Sequence, residues 1–308
     1  MKTCTPPGPP EVCAAAPVAS LEPWRGWAPL AVLPAAVLLL TPPDWPRWLL
    51  MWMLAFAVYA GCKWLTWRRT PVAGVPWRRH AGYLLAWPGM AAGAFLRSAP
   101  RVEPPAARQW ASAAAELLAG FALFWGAAWI VPEGQEIVLG WLGMVGIVLI
   151  LHFGLFELLS CAWRSAGVAA RPLMHRPLAA VRLSDFWGRR WNSAFRDLTH
   201  RFLFRPLTER LGPRWGVVAG FVVSGLVHEL IISVPARGGY GGPTLYFGIQ
   251  AAALVGERSR FGQSLGLGHG WRGWLATMLA LALPVWALFH PPFVLTVVVP
   301  FMRALGAA

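Results

Sequence analysis

A histidine inside an apolar stretch is the residue of this sequence best suited to exchange a proton. His228 lies in "GFVVSGLVHELII", residues 220–232, which has the composition of a membrane-spanning helix. Ionisable side chains inside a bilayer are costly, so they are candidates for a functional site that faces the bundle interior or a cavity. The alternative is a structural histidine hydrogen-bonded between two helices. Glu229, directly after it, raises the cost of burial and favours a functional role.

Small residues precede His228 on the same predicted helix face. Ser224 lies one turn before it, and Gly220 lies one turn before Ser224. Small side chains let a neighbouring helix or a ligand approach closely. We therefore predict that Ser224 helps to form a binding site for a substrate.

The stretch "SDFWGRRWNSAF", residues 184–195, combines aromatic rings with positive charge. Its apolar residues recur at every third or fourth position, which predicts one helix with a single apolar stripe and Ser184 as its N-cap. Arginines on the opposite face are typical of a helix that lies flat in the membrane interface. An interfacial anchor explains the rings and the arginines, but it leaves Asn192, beside the stripe, unexplained. The stripe consists of Trp187, Trp191, Phe195, Leu198 and Phe202.

The composition indicates which elements must position these residues. The 308 residues are 57% hydrophobic and only 13% charged, whereas soluble domains carry about 25% charged residues. Such a chain needs lipid as its solvent over most of its length. We predict an all-α, polytopic integral membrane protein with about eight transmembrane helices, at ~20 apolar residues per span. The predicted spans are Trp24–Leu40, Trp45–Cys62, Ala111–Val131, Ile137–Ser160, Trp215–Val234, Pro243–Val255, Trp271–Leu288 and Pro292–Phe301.

A ninth apolar stretch, Gly82–Leu96, is interrupted by Pro88 and Gly89 at its middle. Arginines flank it on both sides, so the positive-inside rule places both flanks in the cytoplasm and forbids a single crossing. We therefore predict that this stretch is re-entrant or interfacial.

The net charge of +14 indicates anionic partners. Because the basic residues fall in loops between apolar spans, anionic lipid headgroups and a phosphate-bearing cosubstrate fit better than nucleic acid. The arginine-rich segment 164–214 is predicted to be cytoplasmic. The loop at 132–136, with two glutamates and no basic residue, is predicted to face outward, with both termini inside.

The remaining bulk features predict a simple organisation. Residues 1–23, rich in proline and alanine, are predicted to form a disordered tail, and residues 24–308 a single membrane-embedded domain. The four cysteines show neither a disulfide framework nor a metal-ligand spacing, so we predict no metal site. The oligomeric state stays open.

Several of these motifs resemble one known family. "FWGRRWN", residues 186–192, followed by "SGLVHEL", residues 224–230, resembles the membrane-bound O-acyltransferase superfamily, specifically its wax-synthase-like branch. The resemblance extends over roughly residues 151–250 and includes "LHFGLFELLSCAWRSAGV" and "RPLMHRPLAAVRLSDFWGRRWN". The functional asparagine and histidine of that family map onto Asn192 and His228.

The resemblance implies a chemistry that these residue types can perform. His228 would act as a general base on a hydroxyl group, since desolvation keeps its imidazole neutral. Asn192 would position the acyl donor or donate a hydrogen bond to oxyanion charge. Arg189 and Arg190 would hold the phosphates of acyl-CoA, which serves as a cosubstrate, so that no further cofactor is expected.

The implied function is the transfer of a fatty acyl group from acyl-CoA to a long-chain alcohol or another hydroxylated lipid. Gln250 lies in "YFGIQ", which resembles a cavity-lining segment of related acyltransferases, and is predicted to bind a substrate with Trp187 and Trp191. The alternatives are acylation of a polysaccharide or a small secreted molecule, and a non-enzymatic transporter or scaffold. The expected location is an inner membrane of bacterial type, with the donor site facing the cytoplasm.

Two further ionisable residues share a predicted span. His152 and Glu157 lie five positions apart, so in a regular α-helix they do not share one face. We expect a structural role for this pair rather than a direct catalytic one.

Overall fold

The computed structural model describes residues 26–97 and 101–308. The predicted tail at residues 1–23 lies outside these ranges. Within them the chain forms helices and turns without any β-strand, as predicted. The helices, numbered α1 to α13, are Ala28–Leu40, Arg47–Arg68, Trp77–Leu85, Ala92–Leu96, Ala107–Ile130, Glu136–Ser165, 183–190, 193–211, Pro213–Ala236, Gly242–Glu257, Arg260–Ser264, Gly270–Leu288 and Pro291–Ala304.

Five helices of the described ranges are long and apolar enough to cross a bilayer, namely α2, α5, α6, α9 and α12. Each coincides with a predicted span. Helices α1 and α13 are apolar but shorter, and α10 has 16 residues. The protein is therefore an all-helical membrane protein, while the count of about eight spans stays a prediction.

The stretch from Gly82 to Leu96 is broken, as its proline and glycine indicate. Helix α3 ends at Leu85, and α4 begins only at Ala92. Within the non-helical residues 86–91, the carbonyl groups of Ala86, Trp87 and Gly89 need other donors, because no helix ladder satisfies them. Those donors are Trp163 Nε1 to Ala86 at 2.9 Å, Tyr59 Oη to Trp87 at 3.2 Å and Lys63 Nζ to Gly89 at 2.8 Å.

Several helices contain a π-helical turn, in which the backbone bonds run from residue i to residue i+5. One such turn spans Leu149–Leu155 within α6, and another spans Glu229–Ser233 within α9, directly after His228. A third, Phe186–Arg190, forms most of α7. Two more lie farther from these motifs, at His200–Phe204 and Val294–Val298. Turns of this kind are frequent at functional sites, and the first three adjoin the motifs that the sequence singles out.

Helices α9 and α10 pack closely beside His228. A Cβ atom on Gly225 of α9 would lie only 2.8 Å from the Cα of Thr244 in α10. Glycine is therefore required for this approach. Helix α10 in turn contacts α7 and α12, and α8 packs on the first half of α9.

Candidate active site

The stretch 184–195 forms two short helices joined by a sharp bend. Helix α7 ends at Arg190, and α8 begins at Ser193. Between them Asn192 adopts a left-handed conformation with φ of 43°. The prediction of one continuous helix with a single stripe is wrong, because asparagine tolerates this conformation. Its Oδ1 atom also caps α8 by accepting a hydrogen bond from the Phe195 amide at 3.4 Å.

The preceding segment holds the bend in place. The amide of Ser193 donates to the Leu173 carbonyl, and the amide of His175 donates to the Arg190 carbonyl, each at 2.9 Å. The Asn192 amide contacts the sulfur of Met174 at 3.2 Å. Because both sides of the bend are hydrogen-bonded to residues 173–175, the backbone position from which the Asn192 side chain projects is fixed.

A carboxylate from another helix caps the start of α7. The carboxylate of Glu257, at the end of α10, accepts hydrogen bonds from the amides of Leu183 and Ser184 and from the Ser184 hydroxyl. The prediction that Ser184 is the N-cap is therefore wrong. The helix begins at Leu183, and the cap comes from a residue that lies far away in the sequence.

The two adjacent arginines have different surroundings. Asp185, with a side chain only 8% exposed, forms ion pairs with both Arg189 and Arg190. Burial alone would raise the pKa of Asp185, but hydrogen bonds from the two arginines outweigh it and lower the pKa below its usual value. Arg190 also donates to the carbonyls of His175 and Arg176, whereas the side chain of Arg189 is 77% exposed. Arg189 is thus the arginine of the pair that is open to an anion from outside.

Trp187 connects α7 to the helices that carry the rest of the site. Its ring packs on Phe221 of α9 and Phe247 of α10, with centroids 5.8 and 5.9 Å apart. Its Nε1 atom donates to the Oε1 of Gln250 at 3.3 Å, and Gln250 Nε2 donates to the Ala280 carbonyl at 2.7 Å. Gln250 is fully buried, so these contacts favour a bridging role, and its binding of a substrate stays a prediction.

Trp191, at the bend, lies between two other rings. It stacks on Phe186 with centroids 5.6 Å apart and on His152 of α6 with centroids 5.8 Å apart. The interplanar angles of 11° and 16° show that the ring planes are nearly parallel in both contacts, and the centroid distances are those of offset stacking. The residue directly before Asn192 is therefore packed against a span that the sequence analysis left outside the site.

His228 has a defined tautomer. Its Nδ1 atom lies 2.7 Å from the carbonyl oxygen of Ser224. A carbonyl can only accept a hydrogen bond, so Nδ1 carries the hydrogen and Nε2 carries the lone pair. No residue in the described ranges hydrogen-bonds Nε2, and the ring of Phe247 lies 4.6 Å away between centroids. The imidazole is thus oriented as a base with a free nitrogen.

The surface of α9 at Gly220, two turns before His228, is not covered by a neighbouring helix. No atom outside its own stretch of helix lies within 4 Å of where a Gly220 Cβ would be. The close helix contact occurs instead at Gly225. Ser224 contributes its carbonyl to His228, and no hydrogen bond of its hydroxyl occurs among the described residues. There is therefore uncovered space at Gly220, whereas the His228 ring two turns later packs on Phe247.

Glu229 fixes the position of α9 along α10, next to His228. Its Oε1 atom accepts hydrogen bonds from the amide and the hydroxyl of Thr244, at 3.1 and 3.0 Å. Thr244 lies in the first turn of α10, where the helix dipole favours a carboxylate. The contact holds His228 in register with Phe247.

Residues next to Asn192 and His228 share one apolar cluster. Ala194 of α8 is buried in it, and Val227 of α9 packs against it. Phe156 of α6 belongs to the same cluster. The three elements that carry Asn192, His228 and His152 are thus packed around a common centre.

Residues 170–248 match the model of the family described as membrane bound O-acyl transferase. Both Asn192 and His228 lie within the match. Over this segment, the resemblance to the membrane-bound O-acyltransferase family is confirmed. The match also contains the bend, the Ser224 contact and the start of α10, so the geometry described above is that of the family segment.

Curated relatives of this family align over the same part of the chain. An acyl-CoA–sterol O-acyltransferase of Arabidopsis thaliana is 39% identical over 73 residues. A probable long-chain-alcohol O-fatty-acyltransferase of the same plant is 40% identical over 73 residues, and a long-chain-alcohol O-fatty-acyltransferase of Simmondsia chinensis is 38% identical over 72. Each alignment covers 21% of this chain and 20% or 21% of the relative. The matched stretch therefore spans about a fifth of the length of these relatives.

Sequence reasoning missed the cap of α7 and the stacking of His152 on Trp191. Glu257 caps α7 from a position 74 residues after Leu183, and no local pattern connects the two. His152 was expected to be structural because its helix was taken as regular. A histidine at the middle of a long apolar span was the available signal, as it was for His228.

Proposed function

We propose that this protein is a membrane-embedded acyltransferase that moves a fatty acyl group from acyl-CoA to the hydroxyl of a long-chain alcohol. One observation carries the proposal. In the family segment, His228 has a free Nε2 lone pair, and the Oδ1 atom of Asn192 is already hydrogen-bonded to the Phe195 amide. The helices next to these two residues pack in one apolar cluster. Because Oδ1 caps α8, the Nδ2 hydrogens of Asn192 are left to donate to a ligand.

The proposed reaction needs one proton acceptor and one oxyanion donor. Nε2 of His228 takes the alcohol proton while the alcohol oxygen adds to the thioester carbonyl carbon. The amide hydrogens of Asn192 stabilise the negative charge on the carbonyl oxygen. Collapse of the tetrahedral intermediate breaks the carbon–sulfur bond, and the departing thiolate recovers the proton from the imidazolium. The products are an ester and free coenzyme A.

We place the coenzyme A part of the acyl donor against α7. Arg189 is exposed three positions before Asn192, and its Nε pairs with Asp185, while its two terminal nitrogens have no partner in the described part of the chain. A planar guanidinium suits the phosphates of coenzyme A. The fatty chain and the acceptor then lie on the side of α9 that carries His228 and the uncovered Gly220.

A sterol is the second candidate acceptor. An acyl-CoA–sterol O-acyltransferase matches this chain at 39% identity, close to the values of the long-chain-alcohol enzymes. The acceptor is therefore to be decided by a direct comparison of cholesterol with a long-chain alcohol. Acylation of a polysaccharide or small secreted molecule remains the more distant alternative.

The membrane location is proposed in two steps. Five apolar helices and the family match indicate an integral membrane protein. We place the donor site on the cytoplasmic side because arginines crowd the segment 164–214, and the inner membrane of bacterial type stays an expectation. The aligned relatives named above are plant proteins, so this location rests on charge alone.

The test is ester synthesis by the purified protein in detergent or nanodiscs with radiolabelled acyl-CoA and a long-chain alcohol or cholesterol. The wild type should form ester, and His228→Gln should lower kcat by about 10²–10⁴. Glutamine can hydrogen-bond but cannot act as a base near neutral pH. His200→Gln, at an exposed ring outside the site, is the matched control and should retain wild-type activity. Near-normal turnover by His228→Gln would make His228 a structural residue.

A further inference from the structure

His152 lies within the π-helical turn Leu149–Leu155 of α6. Its ring stacks with an offset on Trp191, and it meets Phe156 edge to face with centroids 5.3 Å apart. Trp191 directly precedes Asn192, the oxyanion donor proposed above. The imidazole is therefore fixed by aromatic rings beside the bend, and the reaction described so far does not use it.

The hydrogen bonding of His152 differs from that of other histidines in the described ranges. The Nδ1 atoms of His80, His228 and His290 each have a partner, which is Trp67, Ser224 and Phe293 respectively. Nδ1 of His152 is enclosed and has none among the described residues. A phenyl ring would stack equally well on Trp191 without enclosing an unpartnered nitrogen. Stacking alone therefore does not account for a histidine here.

The enclosed nitrogen indicates which atom carries the ring hydrogen. An enclosed donor without a partner is rarer in proteins than an under-satisfied acceptor, so the hydrogen belongs on Nε2. The ring as a whole is half-buried, and Nδ1 is its only nitrogen enclosed without a partner. Nε2–H thus lies at the open side of the ring. His152 and His228 have opposite tautomers, one presenting a donor and the other a lone pair.

We propose that the Nε2–H of His152 is a second hydrogen-bond donor to the acyl carbonyl oxygen, acting beside the amide of Asn192. This assignment rests on the proposed acyl transfer. As the alcohol oxygen adds to the carbonyl carbon, the carbonyl π electrons move onto oxygen, and both donors stabilise that charge. His152 keeps its hydrogen throughout, while the alcohol proton goes to His228. Its place within α6, one of the long apolar spans, fits a thioester carbonyl and not the phosphates of coenzyme A.

The first test is kinetic. His152→Phe retains the ring that stacks on Trp191 and removes the donor, so kcat should fall about 10²–10³-fold with little change in either KM. His152→Gln, which keeps an N–H group, should recover part of this loss. His200→Phe, at an exposed ring, is the control for expression and insertion. Wild-type kcat in His152→Phe would overturn the proposal and leave stacking as the role of the residue.

The second test needs no turnover. Acyl-CoA and an S-alkyl-CoA thioether of equal chain length differ only in the carbonyl group. The wild type should bind acyl-CoA more tightly, and His152→Phe should narrow that difference while its affinity for the thioether stays unchanged. An equal loss of affinity for both ligands would show a structural effect and refute the carbonyl contact. Absence of ester formation by the wild type would refute the proposed function, and this binding comparison would then decide the role of His152 by itself.

Discussion

Asn192 combines a backbone role with a side-chain role, and one pair of substitutions can separate them. Its φ of 43° is left-handed, and glycine adopts such a conformation without strain. Asn192→Gly should therefore keep the bend and lower the thermal midpoint only slightly, since glycine replaces an asparagine cap at a cost of roughly a few tenths of a kcal/mol. It should lower kcat about 10²–10³-fold, because the amide donor is lost. Asn192→Ala should lose the amide and also strain the backbone by about 1–2 kcal/mol, which lowers the midpoint as well. Full kcat in Asn192→Gly would mean that the amide takes no part in the reaction.

The adjacent arginines give a second prediction at the residue scale. Arg189→Ala should raise the KM for acyl-CoA with little effect on the KM for the alcohol, because this exposed guanidinium is free to meet phosphate. Arg190→Ala should instead lower the thermal midpoint, since it removes bonds to Asp185 and to the carbonyls of His175 and Arg176. Steady-state kinetics and thermal unfolding of both variants test whether Arg189→Ala changes mainly KM and Arg190→Ala mainly stability. Identical profiles for the two variants would contradict the division of roles.

Among the elements, α7 depends on a cap from outside its own sequence. Glu257→Gln should destabilise the protein by about 0.5–2 kcal/mol, the range measured for lost N-caps, because the carboxylate serves the first turn of α7. Since α7 carries Arg189 and leads to Asn192, kcat should fall with it. Glu209→Gln is the matched control, because Glu209 forms only an exposed ion pair with Arg205. A thermal midpoint that is equal for the two variants would exclude the capping role.

The sequence predicted the positions of the long apolar helices well, because hydropathy alone determines which stretches lipid can surround. The break between Leu85 and Ala92 followed from Pro88 and Gly89. The bend at Asn192 and the π-helical turns were missed, because a helical periodicity continues across them and predicts a regular helix.

Much of the candidate site was visible in the sequence through residue type. His228 was exceptional because an imidazole is costly in a span, and Asn192 was exceptional because it interrupts an aromatic stripe. The partners that orient them were not visible. The Ser224 carbonyl, the Glu257 carboxylate and the stacking of Trp191 on His152 depend on backbone geometry and on long-range contacts.

At the scale of the whole molecule, the predicted topology can be tested by cysteine labelling of intact cells in a background without the native cysteines. Glu133→Cys and Tyr240→Cys should react with an impermeant reagent from outside. Arg258→Cys and Leu178→Cys should react only after permeabilisation. All four positions are exposed. The nearby residues Gly239 and Arg176 are less suitable for labelling, because their φ angles of 69° and 46° would make a cysteine there strained. Labelling of position 178 from outside would contradict a cytoplasmic donor site.

The broken stretch between α3 and α4 has a consequence for biosynthesis. The carbonyls of Trp87 and Gly89 receive their donors from α2, which is synthesised earlier. The carbonyl of Ala86 receives its donor from Trp163, which the ribosome adds 77 residues later. During translation the Ala86 carbonyl therefore lacks this hydrogen bond until α6 has been synthesised and inserted. We expect nascent chains truncated before α6 to stay associated with the insertion machinery or to be degraded, whereas chains extended beyond Trp163 are released into the lipid.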